Sequence, residues 1–485
     1  MTRKMLKVFS IILFASFILS LTACDDLFGT PSSVSTSTGG SGGTGVTYNQ
    51  KPFWVFNFHI NTEEIIQARL LGIGIHCNVW VDTRSSVSVS AAQNLANRYD
   101  SIFRPQLLYA FGTPLNFNNQ FYSDPLAFID YLGDKDGKLA ILLVHDPLAP
   151  GNGYFWSGDL NINEPAANLS DIIKIFVGSD GQIHEGTVVH EVQHAMNHAT
   201  GLAIRGTGGR MDTWINEGLS AAAEWIGTGV HNTGRRDWYN YSTTSRIVQG
   251  NNFFMWDNHK DNPNAIFDDY ATVYLFFNWL RLQAGQSVLR AITTSSFSDH
   301  RAVTNAMNNA FPTYGYSNWN YLLEDWMYAN LFNDQAGLWG YMGDTVLGLV
   351  ESRLLPPSIT SISLFPGEAV FSRRSTAVSS SPVNINRYYY NLSTDEFNYN
   401  NPGSNGIMLT YNSSTSNPIN APSTSALLSM DPPEFSEYME AESIRASSII
   451  PSDHRQAFEV TEILDLPMIS ISDLRRRLME EQNAE

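Results

Sequence analysis

The residues best suited to chemistry form one short run, His190-Glu191-Val192-Gln193-His194. On an α-helix, side chains four positions apart lie on one face, so both imidazoles can reach a single metal ion. Zn²⁺ accepts imidazole and carboxylate ligands, and a site with three protein ligands leaves a fourth position for water. Glu191 lies between the histidines and can take a proton from such a water. The run therefore predicts His190 and His194 as metal ligands and Glu191 as a general base.

A site of this kind needs a third protein ligand. The metzincin extension of the motif would place glycine and histidine where Asn197 and Thr200 stand, so a metzincin-type third histidine ligand is excluded. A carboxylate on a second helix is the other solution, and Glu217 is the candidate. Glu224, two turns later on nearly the same face, is either an acceptor for the outer nitrogen of a ligating histidine or a solvated or salt-bridged surface carboxylate.

Three helices are predicted around these residues. The first carries the motif and is expected to stop near Gly201. The second is predicted from Asp212 or Thr213 to about Gly227, and the third from Asp268-Asp269 to Ala284. Upstream, apolar runs predict strands at 53–58, 74–81, 139–144 and 171–177, a helix at 90–99, and a glycine-rich aromatic loop at 151–156.

The whole chain has 485 residues, with 29 basic and 47 acidic side chains and a formal net charge of −18. Such a charge argues against nucleic acid or anionic lipid as the main partner. The hydrophobic content of 43% fits a globular protein, and the length favours two or three domains.

The first 24 residues are typical of an export signal. A basic start (Arg3, Lys4, Lys7) precedes an apolar run at 8–21, which is shorter than the roughly 18–20 residues that span a bilayer. The run ends in Leu21-Thr22-Ala23-Cys24, which resembles a bacterial lipobox. We therefore expect an exported lipoprotein held at the cell envelope or outer surface through lipidated Cys24, with an ordinary signal peptide as the alternative. Residues 25–47, rich in Ser, Thr and Gly, are predicted to be a flexible linker.

The expected fold class is α+β. Residues 48–355 are predicted to form the metal-bearing domain, with an α+β part at 48–180 and the zinc helices plus a helical subdomain at 181–355. The composition then shifts to Ser, Thr, Asn, Tyr and Pro. This shift predicts a β-rich C-terminal module and tail at 356–485, sandwich-like over 358–425.

Two segments together resemble the gluzincins, a group of zinc metallopeptidases. Trp214-Ile215-Asn216-Glu217-Gly218-Leu219-Ser220-Ala221-Ala222-Ala223-Glu224 is similar to the second zinc segment of the aminopeptidase N family, in which a second Glu follows seven residues later. The 22 residues between His194 and Glu217 exceed the usual spacing there, and the amine-binding G-x-M-E-N segment of that family is missing. An N-terminal exopeptidase is therefore disfavoured. Over roughly residues 50–350 the chain is most similar to the hyicolysin-like family of secreted bacterial metallopeptidases.

The resemblance implies a zincin-like catalytic domain that holds Zn²⁺ through His190, His194 and Glu217 and cleaves protein or peptide substrates internally. It also implies a hydroxyl that stabilises the oxyanion of the transition state. Tyr270 is the first candidate because it is expected to open the third helix. The alternatives are Tyr274, His231 and His259.

A function of a different class stays open. The chain could be a surface lipoprotein that binds a host or glycan partner through its C-terminal module, with a vestigial metallopeptidase fold. Retention of Glu191 argues against this alternative, because a pure binding protein has no need of the general base.

Overall fold

The computed structural model describes residues 49–60, 62–148, 152–242, 245–250, 253–256, 265–352, 354–356, 359, 361–362, 364–372, 377–378, 385–391, 396–398 and 406–415. The predicted signal peptide, the Cys24 attachment site, the 25–47 linker, His259 and the C-terminal tail lie outside these residues. Within the described part of the chain, no helix combines the length and the apolar character needed to cross a membrane.

Six strands form the main sheet and two form a hairpin. The strands are β1 (Gln50–Asn57), β2 (Thr62–Ile73), β3 (Cys77–Asp82), β4 (Leu115–Phe117), β5 (Gln120–Tyr122), β6 (Leu139–His145), β7 (Gly153–Phe155) and β8 (Ile172–Val177). The sheet order is β1-β2-β3-β6-β8-β7, and β4 pairs with β5. The pairs β3–β6 and β6–β8 are parallel, whereas the other neighbours are antiparallel. The sheet is therefore mixed, with β7 at one edge.

The central strands are buried on both faces. Ile141, Leu143 and Ile175 pack into the large core shared with the helices, while Leu142 and Phe176 pack into a second core on the opposite face. This explains why β6 and β8 are continuous apolar runs, as parallel strands covered on both sides usually are.

Ten helices complete the described α structure. They are α1 (Val89–Arg98), α2 (Arg104–Phe111), α3 (Pro125–Leu132), α4 (Glu185–Arg205), α5 (Thr213–Thr228), α6 (Thr233–Tyr241), α7 (Ala265–Ala284), α8 (Gln286–Thr293), α9 (His300–Ala310) and α10 (Trp319–Phe332). Helix α4 packs on β7 and β8, α5 packs on α4, and α7 packs on α5. The molecule is thus of mixed α+β type, and the predicted strands and helices are present apart from two corrections.

The first correction concerns the end of the motif helix. Helix α4 runs through Gly201 and ends at Arg205, with Gly206 in the positive-φ conformation (φ 78°) that glycine adopts easily. The helix continues past Gly201 because Leu202 and Ala203 still pack against the large core. Burial of the next turn therefore overrides the local stop signal.

The second correction concerns the predicted loop at 151–156. Gly153–Phe155 form strand β7, which pairs antiparallel with β8 so that Tyr154 lies opposite Lys174. A Cβ on Gly153 would lie 2.8 Å from Cγ2 of Thr187 in α4. The glycine is therefore needed for the close approach of this strand to the motif helix.

The C-terminal region contains β structure, as predicted. Its strands are β9 (Ser361–Ile362), β10 (Ala369–Ser372), β11 (Ala377–Val378), β12 (Ile385–Asn391), β13 (Glu396–Asn398) and β14 (Gly406–Asn412). They form a sheet of order β10-β14-β12-β13 and a β9–β11 pair. Phe371, Leu409 and Tyr411 belong to the same hydrophobic core as the helices. The predicted boundary at residue 355 is thus crossed by continuous packing.

Close packing of α5 on α7 gives a stability prediction. A Cβ on Gly218 would lie 2.1 Å from Cδ2 of the fully buried Phe277. Overpacking costs about 1–3 kcal/mol, against about 1 kcal/mol gained from the higher helix propensity of alanine. We expect Gly218→Ala to lower the free energy of unfolding by about 1–2 kcal/mol in urea denaturation. Gly348→Ala is the control, because no atom lies within 4 Å of a Cβ there; equal stability of the two variants would contradict this packing.

Candidate metal centre

Helices α4 and α5 bring four of the predicted site residues together. His190 is 7% exposed, Glu191 5% and Glu217 7%, and His194 is partly buried beside them. A ring nitrogen of each histidine and a carboxylate oxygen of Glu191 lie within 4.8 Å of one another. Residues from two helices that are separate in the sequence therefore form one compact polar cluster.

The distances within this cluster match a zinc coordination sphere. Oε2 of Glu217 lies 3.2 Å from Nε2 of His190 and 3.5 Å from Nε2 of His194. In tetrahedral zinc sites with bonds of about 2.0–2.2 Å, ligand atoms are separated by roughly 3.3–3.6 Å. Both nitrogen-to-oxygen distances are therefore those expected for ligand atoms of one tetrahedral site.

The outer nitrogens of both rings are held by acceptors. Nδ1 of His190 lies 2.9 Å from Oε1 of Glu224, and Nδ1 of His194 lies 3.0 Å from Oγ of Ser220. Ser220 donates its own proton to Oε1 of Gln193 at 2.6 Å, which leaves its oxygen free to accept from His194. Both rings can therefore carry their proton on Nδ1 and direct the Nε2 lone pair at the metal position. The predicted hydrogen bond between Glu224 and His190 is present, and Glu224 is buried, so it is not the surface carboxylate of the alternative.

Glu224 is itself fixed by two further contacts. Nη2 of Arg235 lies 3.5 Å from Oε1 of Glu224, and Nδ2 of Asn232 lies 3.4 Å from Oε2. Burial raises the pKa of Glu224, but Arg235 and the hydrogen bond from His190 outweigh burial and lower it below its ordinary value. Glu224 is therefore ionised at neutral pH and makes Nε2 of His190 a stronger electron-pair donor.

The cluster has an excess of negative charge. Burial lowers the pKa of His190, but hydrogen bonds with Glu217 and Glu224 outweigh it and raise that pKa to about 10 in the metal-free chain. Burial also raises the pKa of Glu217, yet His194 and His190 hold it well below its ordinary range. Three buried carboxylates around two imidazoles thus form an environment that favours a cation.

The carboxyl group of Glu191, a residue of the motif helix, lies near the edge strand β7. Burial raises the pKa of its carboxyl group, although the charges of His194 and His190 and the nearby backbone of Phe155 in β7 act in the opposite direction. A carboxyl with a raised pKa that lies beside the metal position is suited to accept a proton and give it back near neutral pH.

Tyr270 packs against Arg235, and Tyr274 lies near Glu224. Tyr270 is 1% exposed, in the second turn of α7 rather than at its start, and the guanidinium of Arg235 lies 4.4 Å from its ring centre. The hydroxyl of Tyr274 lies 2.8 Å from Nδ1 of His231, whose Nε2 lies 2.9 Å from Oδ2 of Asp344. The expectation that Tyr270 opens its helix is wrong, because the buried α7 already includes Ala265. Its role at the oxyanion stays a prediction.

Sequence reasoning missed five contributors to the site: Gln193, Ser220, Asn232, Arg235 and the backbone of Phe155. Ser220 carried a usable signal, because positions 217, 220 and 224 share one face of a helix. Tertiary packing brings Arg235 and Phe155 to the site, and no local sequence pattern indicates this.

Comparisons with known proteins assign the chain to no family: no protein-family model matches it, and no curated protein is significantly similar to it. A function for this chain can therefore be inferred only from its own sequence and from the geometry of the cluster.

The hydrogen bond from His190 to Glu224 predicts the effect of Glu224→Gln. The amide keeps an acceptor oxygen but loses the charge, and loss of an outer partner typically weakens metal binding by 10–100-fold. We expect zinc affinity, measured by competition with a chromophoric chelator, to fall at least about tenfold. Ser220→Ala, which removes the uncharged partner of His194, should have a smaller effect. Unchanged affinity in Glu224→Gln would contradict the assigned role.

Proposed function

We propose that this chain is a zinc-dependent endopeptidase of the gluzincin type, with a zincin-like catalytic domain at 48–355. His190, His194 and Glu217 would hold Zn²⁺. The observation that carries the proposal is the position of Oε2 of Glu217, 3.2 and 3.5 Å from the two Nε2 atoms. The outer acceptors Glu224 and Ser220 support it, since metal-binding histidines generally need such partners.

When bound, Zn²⁺ would act as a Lewis acid that lowers the pKa of a water molecule and polarises the scissile carbonyl. Glu191 would accept a proton from the attacking water as its oxygen bonds to the carbonyl carbon. It would then deliver that proton to the leaving amine nitrogen as the C–N bond breaks. The burial that raises the pKa of Glu191 suits both steps.

The edge strand supports an extended peptide as the substrate. In the described sheet β7 pairs with β8 on one side and forms the edge on the other. A sheet edge can bind an extended peptide through backbone hydrogen bonds. Because Phe155 in this strand also contacts Glu191, a peptide at this edge would pass close to the general base.

Tyr270 is proposed as the hydroxyl that stabilises the oxyanion, with Tyr274 as the alternative. Loss of one such donor typically lowers kcat by 10²–10³-fold. Tyr270→Phe should therefore lower kcat about 10²-fold with little change in KM. A large effect of Tyr274→Phe instead would move the role to Tyr274.

Cleavage of casein tests the proposed function. The purified chain should cleave casein, lose activity in phenanthroline and regain it when zinc is added back. A chain that binds zinc stoichiometrically but cleaves neither casein nor a diverse peptide library would favour the binding lipoprotein. Attachment through Cys24 is proposed from the sequence alone.

A further inference from the structure

Three side chains near Glu224 are joined by two hydrogen bonds. The hydroxyl of Tyr274 in α7 lies 2.8 Å from Nδ1 of His231, and Nε2 of His231 lies 2.9 Å from Oδ2 of Asp344. Tyr274 is fully buried, and the side chains of His231 and Asp344 are 6% and 13% exposed. These three residues, the Tyr–His–Asp bridge, therefore connect distant parts of the sequence where little water can replace a lost partner.

The direction of each hydrogen bond in the bridge follows from the charges. Oδ1 of Asp344 accepts from the backbone N–H groups of Val346 and Leu347, both at 2.9 Å. Burial raises the pKa of Asp344, but these bonds and the one with His231 outweigh burial and lower it. Burial lowers the pKa of His231 more than the hydrogen bond with Asp344 raises it, so the imidazole is neutral at neutral pH. A carboxylate only accepts, so Nε2 of His231 carries the ring proton and Nδ1 accepts from Tyr274.

The bridge uses the protons that Tyr274 and His231 could offer to an oxyanion. A tyrosine hydroxyl has one proton, and here it is donated to His231. A neutral imidazole has one N–H group, and here it is donated to Asp344. Redirecting either proton to a substrate would leave a buried acceptor without its donor, which is costly. Both residues are therefore poorly suited to contact a reacting carbonyl.

His231 belongs to the segment that fixes Glu224. It lies between α5 and α6, with its ring centre 5.7 Å from that of Trp225, the residue after Glu224. Nδ2 of the next residue, Asn232, lies 3.4 Å from Oε2 of Glu224. The backbone of Asn232 also lies near the hydroxyl of Tyr274. Fixing the ring of His231 therefore also restrains Trp225 and Asn232, which lie beside Glu224.

We propose that the Tyr–His–Asp bridge is a positioning device that holds Glu224 against His190 and thereby sets the affinity for zinc. The bridge acts through the hydrogen bond between Nδ1 of His190 and Oε1 of Glu224, so this role rests on the proposed function. Outer partners of metal-binding histidines orient the ring and raise its basicity, so a displaced Glu224 should weaken zinc binding. Tyr270 then remains as the tyrosine candidate for the oxyanion.

Zinc affinity of the full chain, measured by competition with a chromophoric chelator, tests this role. Tyr274→Phe removes the hydroxyl, and His231→Phe removes both hydrogen bonds while keeping an aromatic ring beside Trp225. Each should lower zinc affinity about 3–10-fold, less than Glu224→Gln does, because Glu224 keeps its charge. In the Glu224→Gln background the same substitutions should change affinity less than about twofold, because residues that act through one partner are not additive.

Tyr316→Phe is the matched control for a lost buried hydroxyl. The hydroxyl of Tyr316 lies 2.6 Å from Oδ2 of Asp325, and the residue is fully buried. This variant should lower the Tm about as much as Tyr274→Phe does, since each loses one buried hydrogen bond. Its zinc affinity should equal that of wild type, which separates a loss of stability from a loss of positioning.

Three results would overturn the proposal. The first is wild-type zinc affinity in Tyr274→Phe and His231→Phe; if His231→Phe does not fold, Tyr274→Phe alone decides. The second is a loss of affinity that adds fully to that of Glu224→Gln. The third is a kcat about 10²-fold lower in Tyr274→Phe at saturating zinc with unchanged affinity, which would make Tyr274 the oxyanion donor. Absence of zinc binding in wild type would instead overturn the proposed function, and this role with it.

Discussion

A Glu191→Gln chain is expected to retain zinc and lose peptide hydrolysis. Glutamine keeps the shape of the side chain but cannot take the proton of the attacking water. General-base catalysis contributes 10²–10⁴-fold, so kcat should fall about 10³-fold. Zinc content should not change, because Glu217 and the two histidines supply the ligands. Steady-state cleavage of a quenched fluorescent peptide, with zinc measured on the same samples, gives both quantities.

The control for this variant is Glu185→Gln. Glu185 lies in the first turn of the same helix and pairs with Arg98, away from the cluster. It should leave kcat within about twofold of wild type, because Glu185 pairs with Arg98 and not with a residue of the cluster. Full activity in Glu191→Gln would show that another group accepts the proton, and zinc loss in that variant would show that Glu191 is a ligand.

The second large effect is expected for Glu217→Ala, which should lose zinc. Removal of an outer partner weakens metal binding by 10–100-fold, and removal of a direct ligand should weaken it more than about 100-fold. The rise in Tm on adding zinc should disappear, because stabilisation by a ligand depends on its concentration relative to Kd. Peptide cleavage should be lost in parallel. Differential scanning calorimetry with and without zinc measures the first effect directly.

Glu164→Gln provides a control, as an exposed carboxylate outside the cluster. The affinity of Glu224→Gln should fall between those of wild type and Glu217→Ala. Zinc binding by Glu217→Ala with wild-type affinity would remove Glu217 from the coordination sphere and leave the third ligand to another carboxylate, of which Glu191 is the nearest.

The candidate ligands could be predicted from the sequence because each depends on residue spacing within a single helix. The spacing of His190 and His194 fixes their common face once a helix forms, and Glu217 lies in a helix with clear apolar periodicity. Helices α5 and α7 and strands β6 and β8 were predictable for the same reason, since their residues satisfy both local preference and burial.

The remaining features depend on packing that one segment cannot reveal. Gly201 has the local character of a helix end, yet the core contact of Leu202 extends α4 by another turn. Gly153 has the character of a loop residue, yet it permits a strand to approach α4 closely. Arg235 reaches Glu224 because α6 packs on α7, which itself packs on α5, and no local sequence pattern links Arg235 to the motif histidines.

His190, His194 and Glu217 should bind one shared zinc ion, and anomalous diffraction at the zinc edge tests this most directly. Crystals of the zinc-loaded chain should show one anomalous peak about 2.0–2.2 Å from both Nε2 atoms and from one carboxylate oxygen of Glu217. A zinc peak elsewhere, or a peak here with Glu217 turned away, would contradict the account.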